Sequence, residues 1–91
     1  MIRTINVTKT NIRKGVRKNK KYCAVARACK AARIGSRVEV DGSKVTFNRY
    51  GHTYGVTLPK FVRRFIERFD NINWRKSELR PLSFVVRVSG K

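Results

Sequence analysis

No carboxylate occurs between Met1 and Arg37, a stretch that carries twelve basic residues; the first acidic residue is Glu39. A chain this charged works against its own repulsion when it compacts. Its fold must leave these side chains in water and draw cohesion from apolar patterning elsewhere. Over 91 residues there are 23 Lys and Arg against 5 Asp and Glu, a formal charge of +18. Hydrophobic residues are 41%, including five Phe, three Tyr and one Trp, which is enough for a core and argues against disorder. The length fits a single compact basic domain over 1–91, because two halves would not each hold a core. The charge makes a polyanion the leading partner: nucleic acid, an acidic protein surface or anionic lipid.

The charge is segmental. Between Val38 and Pro59, Lys44 and Arg49 balance Glu39 and Asp41. Between Lys60 and Arg80, seven basic residues face Glu67, Asp70 and Glu78, and the tail adds Arg87 and Lys91. The chain therefore reads as two basic segments around a neutral, β-rich middle. No run of about 18 apolar residues exists, so no membrane span is expected. Met1 to Thr10 lacks the apolar stretch of a secretory signal. Two cysteines make no disulfide framework, and a reducing cytoplasm is the expected compartment.

Ile5 and Val7 alternate with polar residues and predict a first strand. Thr8 or Thr10 can cap a short helix through Asn11–Lys14, with Gly15 in its C′ position. Arg17 to Lys21 reads as a charged loop. Tyr22 to Arg33 is rich in Ala and predicts a helix that Gly35 ends. On it Tyr22, Val25, Ala26, Cys29 and Ala32 share one face. Val38 and Val40, then Val45 and Phe47, alternate with polar residues around Asp41-Gly42-Ser43, a hairpin signal. Gly51-His52-Thr53 reads as a second turn leading to Tyr54, Val56 and Leu58. Pro59 suits the first turn of a helix that runs to about Asp70. Phe61, Val62, Phe65, Ile66 and Phe69 form its apolar side; Lys60, Arg63, Arg64, Glu67 and Arg68 form the other. Leu82, Phe84, Val86 and Val88 predict a last strand. The expected fold is α+β: a small antiparallel sheet of about four to five strands with two to three helices, in the order β-α-α-β-β-β-α-β. A sheet with helices on one face is the natural way to bury the Phe stripe.

Asn11-Ile12-Arg13-Lys14-Gly15, Cys23-Ala24-Val25-Ala26-Arg27-Ala28, Leu58-Pro59, Phe65-Ile66-Glu67-Arg68-Phe69-Asp70 and Arg80-Pro81-Leu82-Ser83-Phe84 occur in that order. Together they resemble a family of small phage and prophage proteins. Ala24 stands where that family usually has Pro, and this chain is far more basic. The resemblance implies a phage origin and a compact α+β fold. No functional residue carries over from it.

Arg13, Lys14, Arg17, Lys18, Lys20 and Lys21 form the densest basic cluster. With no carboxylate near, it reads as a phosphate-neutralising element, in which counterion release drives binding. Arg27 and Lys30 fall on a flank of the Ala-rich helix. Lys60, Arg64 and Arg68 form one row at i, i+4 and i+8, with Arg63 beside it. The competing reading is a solvated helix face on which Glu67 pairs Arg63 or Arg64. Tyr50, His52, Tyr54 and Trp74 are candidates for stacking on bases, with Arg49 and Arg75 interleaved. Cys23 and Cys29 lie about 9 Å apart along one helix, too far to bridge; Cys29 reads as core and Cys23 as a flank residue. His52 completes no familiar zinc spacing with them, and no metal or cofactor is expected. Five scattered carboxylates and no phosphate-binding Gly loop argue against an enzyme.

The leading functional expectation is a phage-encoded accessory protein. It would bind nucleic acid, RNA or DNA, or a host nucleoprotein through its basic face and so block a host nucleic-acid machine. An anti-CRISPR-type inhibitor contacting guide RNA or a DNA-binding surface is the concrete form. One alternative is an inhibitor that docks on an acidic protein surface with Trp74 and Tyr50 as anchors. Another is a ribosomal-type structural RNA-binding protein. A membrane-surface role is disfavoured, because the core needs the apolar stripes of the helices. No small-molecule substrate is expected.

Overall fold

Alternation and caps set the elements of the computed structural model, which describes residues 1–88 and leaves Lys91 outside the described residues. Strand β1 spans Ile2–Val7, and helix α1 spans Lys9–Lys14. Helix α2 is Ala24–Ala31, and strands β2, β3 and β4 are Ser36–Val40, Lys44–Arg49 and His52–Thr57. Helix α3 is Lys60–Asp70, a 3₁₀ turn covers Lys76–Glu78, and β5 is Leu82–Arg87. The class and order match the expectation from periodicity. Thr8 is the cap of α1: its hydroxyl accepts from Asn11 N, while Asn11 Oδ1 accepts from Thr8 N at 2.9 Å.

The strands divide between two antiparallel sheets. β1 pairs β5, from Ile2 opposite Arg87 to Val7 opposite Leu82. β2, β3 and β4 form a meander. The reason lies in α2, which packs against both β1 and β2 and against α1. Its Ala24, Val25, Ala26, Ala28 and Cys29 are all buried. A helix of alanines ends at Cβ, so backbones can approach it on several sides. The burial is broader than the single face expected, and Tyr22 lies half-exposed ahead of the helix.

α2 also ends earlier than predicted. Ala32 caps it, and Arg33, ahead of Gly35, takes the left-handed conformation at φ 56°. Gly35 serves space instead, since a Cβ there would lie 2.3 Å from Asn48 O of β3. Gly15 does the same at the junction of the three helices: its φ is −64°, and a Cβ would meet Ala24 N at 2.7 Å and Phe69 Cζ at 2.9 Å. The β3–β4 turn is Tyr50-Gly51, both at positive φ, so His52 begins β4 and is not part of the turn.

On α3, Val62, Phe65, Ile66 and Phe69 are buried, and Phe65 stacks on Phe69 at 6.2 Å. Each such side chain stabilises by about 1.5–3 kcal/mol. Phe61, expected among them, is 51% exposed. Every buried side chain among the described residues is apolar.

Candidate nucleic-acid interface

The segment from Gly15 to Cys23 carries the densest charge, and it is folded. Val16 N donates to Tyr22 O, Cys23 N to Asn19 O, and Asn19 Oδ1 accepts from Lys21 N and Tyr22 N. Two longer ties fix its place. Lys18 N donates to Asp70 Oδ1 at 2.8 Å, and the Arg17 guanidinium donates to Trp74 O. Val40 N of β2 donates to Lys20 O. Pinning the main chain on two sides leaves Lys18, Lys20 and Lys21 as exposed side chains on an ordered base.

Little opposes their charge. Among the described residues the one ion pair is Lys20 with Glu39 at 3.3 Å, an exposed pair of the kind worth about 0–1 kcal/mol. Asp70 and Glu78 accept from main-chain N–H groups, those of Lys18 and Arg75. Asp41 accepts from Ser43 N and Lys44 N, and these bonds hold its carboxyl below the ordinary aspartate range. Glu67 forms no ion pair with Arg63 or Arg64.

Some cations are structural. Lys76 Nζ donates to Arg13 O at 3.0 Å and to Gly15 O at 2.6 Å, where the last carbonyls of α1 need donors. Arg49 Nη1 does the same for Ile34 O after α2 and lies over the Tyr50 ring. Lys30 reaches Lys21 O and sits 4.3 Å over the Tyr22 ring. Arg27 and Arg63 are half-buried, and their Nε atoms find no partner among the described residues. Arg13, Lys14, Lys60 and Arg64 are exposed.

The fold brings the two basic segments together at one place. Arg17 holds the Trp74 carbonyl while Arg68 lies 4.9 Å over the Trp74 ring, and Lys18 is tied to the last residue of α3. The aromatic candidates are separated. Trp74 belongs to this junction, with Arg75 exposed beside it. Tyr54 stacks on Phe47 at 5.7 Å as cover for the core, and His52 meets Tyr54 edge-on. Tyr50 is 75% exposed at the hairpin tip, which Arg49 anchors beyond the C-terminal end of α2. Trp74 is tied near the other end of that helix, where Gly15 meets Ala24.

Two residues of the junction escaped the sequence reading. Phe61 and Arg80 join Arg64, Arg68, Trp74, Pro81 and Leu82 around an open groove of about 400 Å³. The helical wheel held a signal for Phe61: at about 100° per residue it stands about 20° from Arg68, at the edge of the buried stripe. Arg80 had none, since its place depends on how the chain returns after the 3₁₀ turn.

Both thiols are free and buried. Cys23 is the N-cap of α2, its sulfur accepting from Ala26 N at 3.4 Å, and not the flank residue expected. A helix N-terminus lowers a thiol pKa, but here burial outweighs it and raises Cys23. Burial pushes Cys29 up to about 12. Neither is a ready nucleophile. Among the described residues no three His, Cys, Asp or Glu side chains gather, and no helix is long and apolar enough to cross a membrane. Comparison with protein-family models, curated proteins and solved structures returns no match for this chain.

Proposed function

We propose that this chain is a polyanion-binding protein without catalytic activity, acting in the cytoplasm on nucleic acid or on a nucleoprotein. In its concrete form it is a phage-encoded accessory protein. It covers a surface that a host nucleic-acid machine needs, such as the guide RNA or DNA-binding face of a CRISPR surveillance complex. The phage step rests on the motif resemblance alone.

One observation carries the binding step: the junction where Arg17, Lys18, Arg68 and Trp74 meet joins both basic segments, while the nearby carboxylates serve main-chain N–H groups. Phosphates need such a field, and their counterions are released when it docks.

The test is a titration of labelled RNA and DNA oligonucleotides at 50 and 200 mM salt. Contact with about six phosphates predicts about a thousandfold loss of affinity over that interval. Affinity that stays flat ends the proposal. Affinity purification with and without nuclease then separates the partners: capture that survives nuclease assigns the basic face to an acidic protein.

A further inference from the structure

The groove at the junction sets aromatic walls among arginines. Phe61, Phe65, Leu79, Pro81 and Leu82 line it together with Trp74, and Arg64, Arg68 and Arg80 stand around it. Phe61, at the edge of the buried stripe of α3, is half-exposed here. Glu78 is the single carboxylate in the lining, and its Oε1 is occupied by Arg75 N at 2.9 Å.

We infer that this groove binds unstacked bases, so that the protein selects single-stranded nucleic acid over duplex. The inference rests on the proposed function and specifies its substrate. A duplex presents phosphates and hides its base faces, so it would use the three arginines and leave the apolar walls in water. A single strand offers both: phosphates for Arg64, Arg68 and Arg80, and π-faces for Phe61 and Trp74. Arg68 already lies over one face of the indole and holds it in place. An acidic peptide would satisfy the arginines but has no flat face for the aromatic walls.

Trp74 is the one tryptophan in the chain, so its fluorescence reports on this groove. Four probes of equal charge are compared at one ionic strength: a twelve-residue oligo-dT, the same backbone without bases, a duplex, and polyglutamate. Oligo-dT is expected to bind at least tenfold more tightly than the other three and alone to quench Trp74. Phe61→Ala, a change at an exposed position, should lower oligo-dT affinity about tenfold and leave abasic binding unchanged. A circular dichroism melt checks that this variant folds. Equal, salt-sensitive binding of oligo-dT and the abasic strand without quenching would overturn the inference and leave the polyanion function standing. Preference for polyglutamate would overturn it in favour of an acidic protein. Absence of binding to every probe would overturn both.

Discussion

In the meander, strand neighbours are chain neighbours: Val45 lies opposite Val56, and Arg49 opposite His52 across a two-residue turn. Of its two carboxylates, Asp41 closes its own turn and Glu39 reaches out to Lys20. Around Trp74, by contrast, Arg17 and Lys18 reach 57 and 52 residues along the chain, and Lys76 reaches 63 to Arg13. The neutral region is therefore specified by short-range pattern and turn chemistry. The basic region exists only when distant segments arrive. Local pairing suffices where charge is balanced. Where it is not, main-chain carbonyls take the place of missing carboxylates as partners for Arg17, Lys30 and Lys76.

The largest blow to the long-range half should come from Gly15→Ala. The new methyl would press on main-chain atoms of Asn11 and Ala24, which cannot rotate away, and on Phe69. We expect a loss at the upper end of the about 1–3 kcal/mol seen for overpacking, read by urea unfolding. A loss below about 0.5 kcal/mol would mean that the junction is slack and that the contrast between the halves is overstated.

A matched pair sharpens the comparison. Lys18 and Tyr50 both hold positive φ, near 57° and 51°, where side chains other than Asn and Gly are strained. Lys18→Asn and Tyr50→Asn should each raise stability by about 0.5–1 kcal/mol, the second because Asn-Gly is the favoured pair in such hairpins. Only Lys18→Asn should weaken oligonucleotide binding, lowering the salt slope by about one. Equal loss from both would place the contact surface at the hairpin tip as well.

The smallest effect lies at Asp41. Its folded pKa is lowered by the Ser43 and Lys44 N–H groups. The stability it contributes is therefore present above the unfolded pKa and fades as pH falls through the folded value. Wild type should exceed Asp41→Asn slightly at pH 7, and the gap should close as the pH falls below the ordinary aspartate range. A gap that widens in acid would reverse the assignment.

Much of the fold could be read in the residues themselves. Alternation placed all five strands, the threonines at 8 and 10 announced the start of α1 without choosing between them, and the apolar stripe from Phe61 to Phe69 announced α3 although Phe61 lies outside its buried part. The division into two sheets could not be read, because it follows from α2 being thin enough to serve both. Of the candidate site, the basic segments were visible as composition. Their meeting point was not. It rests on hydrogen bonds to carbonyls, such as Arg17 to Trp74 and Lys76 to Gly15, and every residue has a carbonyl. Trp74 and Tyr50 looked equivalent on the page and lie toward opposite ends of α2.

The carboxylates that bind main-chain N–H groups have one more consequence. The surplus of eighteen charges is carried by lysine and arginine, and the chain holds a single histidine. On the proposed function, a competitor or a change in ionic strength is what displaces such a surface from a polyanion.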